Sequence, residues 1–355
     1  MSCCRVGVPY RSVLVTSDVV AARITSQLLA GPKPTRPEAV VERLLAVQAQ
    51  DARGARLAIR ARSRKLTAAA VDDAFTKTRS LVITWLNRGT LHLVTASDYW
   101  WLHALTAVRT ITANERRLRQ EGVSSKQAAS GIDVVLDAVN ANGPQTRREL
   151  REALDDARVP TEGQALVHLL LAASLHHDLV RGPMRGTEQT FVSAAAWLGP
   201  APRPLDRDDA LALLVRRYLA GHAPAGPEDL AVWLGLPLTD ARRAFDQTGL
   251  TPSRRKPRAL PAPTLLGPFD PLLHGWASRT PFVGEHQRII TTNGVFRPIA
   301  LVEGKAVATW SLAAGTITIA PLEPLNAATH RSLDHDATDV LRFLGLGPHP
   351  TRFTT

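Results

Sequence analysis

Leu81-Val82-Ile83-Thr84-Trp85 and Thr90-Leu91-His92-Leu93-Val94 flank Asn87-Arg88-Gly89. Both runs are rich in β-branched and apolar residues, and Asn and Gly between them suit a tight turn, so the stretch reads as a β-hairpin. The chain before it is helical in pattern. Asp18 is placed to cap a helix carrying Val19, Val20, Ile24, Leu28 and Leu29, which Gly31 and Pro32 stop. Pro37 opens a second helix with Glu38 in its first turn and Val40, Val41, Leu44, Leu45 and Val47 spaced for one buried face. A third helix spans Thr67 to about Lys77. Helices that run into a small hairpin suggest a winged helix-turn-helix unit, here residues 18–125, after a loose leader at 1–17.

The pattern recurs twice. Ile132–Val139 is an apolar helix, and Thr146 with Glu149 forms a capping box before a helix over Arg147–Ala157. Glu162–His177 is a further helix, and Asp178–Arg181 can pair with Gln189–Val192 as a second wing, giving a unit at 126–200. A stiff Gly-Pro-Ala-Pro-Arg-Pro linker follows from Gly199. Helices over Asp206–Leu219, Pro227–Leu234 and Thr239–Gln247 make a third unit at 205–260. Beyond the Pro/Arg-rich connector Pro252–Pro263, β signals dominate. Arg288–Thr292, Val295–Val302, Lys305–Leu312 and Thr316–Ala320 read as strands, with Asn293-Gly294 as a type I′ turn and Glu303-Gly304 as another tight turn. A helix over Ala328–Leu344 closes this segment, residues 264–355. The expected class is α+β: three tandem winged helix-turn-helix units followed by a small β-rich C-terminal domain.

Composition narrows the function. The 355 residues carry a net charge of +11, and only six of the 43 basic residues are lysine. Guanidinium groups suit bidentate phosphate contacts, and a surplus of this size favours polyanionic partners; a basic soluble protein with no such partner is the alternative. No apolar run is long enough to span a bilayer, and no secretory leader is recognisable. Cys3 and Cys4 are the only cysteines, which excludes a disulfide framework or thiolate zinc site and points to a reducing, cytoplasmic setting. The histidines form no metal pattern: His176 and His177 diverge on a helix, and His330, His335 and Asp336 read as solvated surface. There is no nucleophile elbow and no phosphate loop. Neither a metal nor a cofactor is expected.

One short motif stands out. Gln48-Ala49-Gln50-Asp51 follows an amphipathic helical pattern. On an unbroken helix the two glutamines would point about 160° apart, so both can face one cavity only where the backbone leaves helical geometry. Converging carboxamides orient a water or a base edge, but they are not bases. Taken alone, glutamines at a helix end are ordinary caps or solvated groups, and Asp51 reads either as an electrostatic helper or as a surface carboxylate.

Four stretches together resemble the AlkZ/YcaQ family of bacterial DNA glycosylases, a group of winged-helix DNA-binding proteins. They are Arg43–Asp51 with its Gln-apolar-Gln motif, Trp85–Val94 with Asp98, Leu265–Pro271 with its Phe-Asp pair, and Gly294–Pro298 through Val307–Trp310. They occur in family order over about residues 18–345, and the Gln-x-Gln motif is that of the AlkZ-like branch, associated with self-resistance to DNA-alkylating natural products. The resemblance implies hydrolysis of the N-glycosidic bond of an N7-alkylated purine, including bulky or crosslinked ones, to leave an abasic site. Such a base is cationic and departs neutral, so positioning a water matters more than basicity. Gln48 and Gln50 are then the catalytic pair, holding the water. Double-stranded DNA is the partner, gripped by a concave face, with a hairpin at Thr291, Thr292, Asn293, Gly294 and Arg297 probing a groove and Arg53, Arg56, Arg88 and Arg297 meeting phosphates. Tryptophans 85, 100, 101, 233 and 310 read as packing groups rather than base-stacking platforms. A monomer without an obligate protein partner is expected. A non-catalytic winged-helix regulator, or a protein that sequesters a free drug, are the competing classes.

Overall fold

The computed structural model describes residues 11–250 and 258–354. The chain opens with α1 (Arg11–Ser26), α2 (Pro37–Leu44), β1 (Val47–Gln48), α3 (Ala52–Arg62), α4 (Ala68–Thr76), β2 (Leu81–Leu86), β3 (Thr90–Thr95) and the 25-residue α5 (Ala96–Gln120). Then come α6 (Ser125–Asn142), α7 (Arg147–Asp156), α8 (Ala165–Leu175), β4 (Leu179–Arg185), β5 (Glu188–Ser193) and α9 (Ala194–Leu198). Three helices follow, α10 (Arg207–His222), α11 (Pro227–Leu234) and α12 (Leu238–Thr248). The C-terminal part holds β6 (Thr264–Leu266), α13 (Thr280–Val283), β7 (Ile299–Val302), β8 (Lys305–Ala313), β9 (Thr316–Pro321), α14 (Ala327–Leu344) and β10 (Arg352–Phe353). The class is mixed α and β, as expected.

Local chemistry accounts for many of these bounds. Pro37 occupies the first turn of α2, where its missing N–H costs nothing. Thr146 and Glu149 form the expected capping box on α7, and both expected hairpins are present. Glu303 and Gly304 both take positive φ in the β7–β8 turn, as a type I′ turn requires.

Other expectations are corrected. Helix α1 begins at Arg11, so Asp18 lies inside it rather than capping it, and Arg11–Ser17 belong to a helix rather than to a leader; residues 1–10, with Cys3 and Cys4, lie outside the described residues. The expected strand over Arg288–Thr292 is instead a short 3-10 turn at Gln287–Ile289 and a single bridge from Ile290 to Phe296. The strand expected from Val295 starts at Ile299, after Pro298, whose nitrogen has no hydrogen to donate to a ladder. The turn before it is not type I′: Gly294 takes positive φ but Asn293 does not, and Gly294 N–H bonds Thr291 O at 2.9 Å.

Among the described residues three sheets result: β1-β3-β2, β4-β5, and β10-β9-β8-β7-β6. The hydrophobic core crosses the expected segment boundaries. One cluster joins α1, β2, α10 and α11 with Leu272, Trp276 and Ile299. A second packs α2, α3 and α4 on the five-stranded sheet and α14, and a third holds α5 to α8 together. Helix α10 lies so close to the end of α2 that a Cβ on Gly221 would stand 2.2 Å from Arg43 O.

Two buried arginines on α3 tie the first helices to the C-terminal part. Arg62 and Asp270 are both fully buried and form a bidentate pair at 2.7 and 2.9 Å, with Gln27 Oε1 accepting from the guanidinium at 3.0 Å. Arg60 reaches Asp336 at 2.9 Å and Asp339 at 3.1 Å. Asp336 is therefore an ion-pair partner and not the solvated surface residue the sequence suggested. Asp98 binds Arg217 at 2.6 and 3.0 Å, fixing α5 to α10.

Candidate active site

The glutamine motif lies where the backbone leaves the helix. Helix α2 ends at Leu44, not at Val47, because Leu45 takes φ +66° with its side chain fully buried. The chain then runs extended against the first hairpin, with Val47 opposite Leu93, Gln48 opposite His92, and Ala49 N–H donating to Leu91 O at 2.7 Å. Period-two alternation follows: Val47 and Ala49 are buried, Gln48 is half-buried and Gln50 is exposed. The two carboxamides thus share one side of the segment.

Each carboxamide is oriented differently. Gln50 Oε1 accepts the Leu91 N–H at 3.1 Å, so its amide NH₂ faces away from the strand. Gln48 lines a hollow of about 20 Å³ together with Asn87, Arg88, His92, Trp233 and His274. That volume suits a single water. Among the described residues, neither a carboxylate nor a lysine lines it. Asp51 caps α3 instead, accepting from Gly54 N–H at 2.6 Å.

The two imidazoles of the hollow are held uncharged. Burial lowers His92 to about pKa 4 against an opposing hydrogen bond with Thr90 O, with the Arg88 charge adding to the lowering. Burial likewise lowers His274 to about 3, helped by His92, Arg279 and Arg88. His274 is wedged between the rings of Phe269, at 6.1 Å, and Phe296, at 4.0 Å.

Phe296 brings the expected probing turn to this site. It is buried on His274, while Thr292, Asn293, Gly294 and Arg297 around it are exposed and Thr291 is half-buried. The Thr291 hydroxyl accepts from Val295 N–H at 3.1 Å and stiffens the turn. Among the arginines, Arg88 lines the hollow and donates to Val232 O at 2.9 Å near the C-terminus of α11. Arg53 is exposed, with Leu312 O at 3.4 Å. Arg56 does not line the hollow and is paired with Asp72 at 2.7 Å. Trp85, Trp233 and Trp310 are buried and Trp100 and Trp101 half-buried; Trp85 stacks on Phe191 at 6.2 Å. Asn87, His92 and His274 were missed as site residues. The alternation around His92, an imidazole between Leu91 and Leu93 on a hairpin strand, was the available signal for one of them.

The site is thus an extended glutamine pair against a β-hairpin, beside a hollow that no acid or lysine among the described residues lines. The family model "DNA glycosylase AlkZ-like" matches residues 41–343, and the chain belongs to that family of DNA glycosylases. A curated relative, the interstrand DNA cross-link repair glycosylase of Streptomyces sahachiroi, is 27% identical, with 94% of this chain and 98% of the relative aligned. The solved structure of Streptomyces sahachiroi DNA glycosylase AlkZ superposes with a TM-score of 0.76 at 24% identity, covering 95% of this chain and 99% of the other, and so shares its fold.

Proposed function

We propose that this glycosylase is monofunctional and hydrolyses the N-glycosidic bond of N7-alkylated purines in double-stranded DNA, leaving abasic sites. The observation that carries this reading is the composition of the hollow at Gln48: amides, neutral imidazoles and the Arg88 guanidinium, with, among the described residues, no carboxylate to act as base and no lysine to attack the sugar. Such a site suits a leaving group that already bears positive charge, because the base departs neutral and the water needs only to be held in place. Gln48 and Gln50 are the residues that hold it. The name of the Streptomyces relative extends the proposal to bulky and crosslinked adducts, and hence to repair or self-resistance.

In the same reading the helical segments at 18–125, 126–200 and 205–260 act as three winged-helix units, and residues 264–355 as a β-rich domain, that together grip the duplex. The turn Thr291, Thr292, Asn293, Gly294 with Arg297 enters a groove beside the hollow. Arg53, Arg88 and Arg297 meet phosphates, and Arg56 contributes less because Asp72 already holds it. The enzyme works as a monomer in the cytoplasm, without a cofactor or obligate protein partner.

The test is incubation with a duplex methylated at guanine N7, followed by alkaline cleavage of abasic sites. The wild type yields strand breaks at guanine, and a Gln48→Ala/Gln50→Ala double variant binds the duplex yet yields none. Undiminished cleavage by the double variant overturns the site; duplex binding by the wild type without abasic product indicates a non-catalytic regulator.

A further inference from the structure

The polar groups around Gln48 are wired in a definite sense. His92 Nδ1 lies 2.9 Å from Thr90 O, and a carbonyl only accepts, so Nδ1 carries the hydrogen. The ring is neutral, which leaves Nε2 as a bare lone pair. Asn87 Nδ2, 3.3 Å away, therefore donates to it. That bond settles which end of the Asn87 amide points where: its nitrogen faces His92 and its oxygen faces elsewhere. Asn87 is only 6% exposed, yet Oδ1 has no partner among the described residues. His274 Nε2, on the same hollow, is also buried and without one. Buried polar atoms left unpaired are costly, and protein structures rarely tolerate them without a purpose.

Resting on the glycosylase reading above, we propose that Asn87 is a further catalytic residue, whose Oδ1 accepts one O–H of the attacking water at Gln48. Thr90 and His92 are positioning residues that aim this oxygen. A water donating to Asn87 has its lone pair turned away from that bond, toward the sugar. The step balances without a base. The water oxygen forms a bond to C1′ as the C1′–N9 bond breaks, and the N9 electron pair neutralises the cationic purine. The resulting protonated hydroxyl is strongly acidic and gives its proton to solvent. An amide is suited to this task because it orients the water without itself taking a proton.

The experiment is single-turnover release of N7-methylguanine from a methylated duplex, with duplex affinity and thermal midpoint measured alongside. Asn87→Leu removes the acceptor while keeping the number and branching of side-chain heavy atoms, and slows release about 50-fold or more, with duplex affinity within about twofold of wild type. Asn87→Asp keeps an acceptor oxygen there and stays within about tenfold of wild type. Should Asn87→Leu not fold, His92→Phe and His92→Gln decide: the first loses the group that aims Asn87 and is slowed, and the second restores an acceptor and recovers. A folded Asn87→Leu, or His92→Phe, releasing at the wild-type rate while Gln48→Ala/Gln50→Ala is inactive overturns this proposal and leaves the underlying reading intact. Failure of the wild type to release base, or full activity of the glutamine double variant, overturns the underlying reading and this proposal with it.

Discussion

Asp270→Ala tests the join between the first helices and the C-terminal part. The substitution deletes both oxygens that hold Arg62, at 2.7 and 2.9 Å, where both side chains are fully buried. Arg62 keeps Gln27 Oε1 and Ala58 O, each at 3.0 Å, but no anion. Breaking a buried pair by removing one partner costs about 3–5 kcal/mol, because the remaining charge stays out of water. Losing the Asp270 acceptor of Leu272 N–H, at 2.9 Å, adds about 1 kcal/mol. Against a total stability of about 5–15 kcal/mol this is a large fraction. Urea unfolding followed by tryptophan fluorescence reads it as a lower midpoint. Replacing both partners, Arg62→Leu with Asp270→Leu, recovers much of the loss, since no charge is left buried. An Asp270→Ala midpoint within about 1 kcal/mol of wild type refutes the reasoning, as does a double variant no better than the single one.

Stability falls on mild acidification. Burial depresses His92 to about 4 and His103, His222 and His274 to about 3 in the folded state, against 6.5 when unfolded. Below about pH 6.5 the unfolded chain takes up protons the folded one refuses, so each histidine removes up to about 1.4 kcal/mol per pH unit until its folded pKa is reached; a thermal midpoint unchanged between pH 7.5 and 5 contradicts this. Gly221→Ala drives a methyl into Arg43 O, 2.2 Å away, and destabilises the chain by about 1–3 kcal/mol by the same urea assay, whereas a neutral result means that α2 and α10 separate easily. Duplex affinity falls log-linearly with salt, and Arg297→Ala lowers the slope by about 1 while Arg56→Ala changes it less; equal effects of the two would show that Asp72 does not hold Arg56 back from the phosphates.

Local signals were legible where local chemistry decides structure. Pro37, the Thr146–Glu149 box, the Asn87-Arg88-Gly89 turn and the Glu303-Gly304 turn each act within a few residues, and each produced the element expected of it. Helix α3 was not legible. Its arginines suggest a solvated face, yet Arg60 and Arg62 are buried because Asp336 and Asp270 meet them from more than 200 positions away. The N-terminal part of helix α5, with its aromatic, histidine and threonine residues, has weak helical propensity and is held by packing and by Asp98–Arg217. At the site, the need for a helix break between Gln48 and Gln50 could be read from their spacing. The strand that receives them, and the approach of His274 to the hollow, depend on pairings that only the assembled chain makes.

The Arg62–Asp270 pair also sets a timetable. Its partners are 208 positions apart, and at about 5–20 residues per second a ribosome delivers the second about 10–40 s after the first. During that interval a guanidinium destined for a dry interior has no carboxylate to meet, so the opening helices cannot finish packing as they leave the tunnel. This join between the first helices and the C-terminal part therefore closes late, and a nascent chain stalled before Asp270 would present those helices, still loosely packed, to chaperones and proteases.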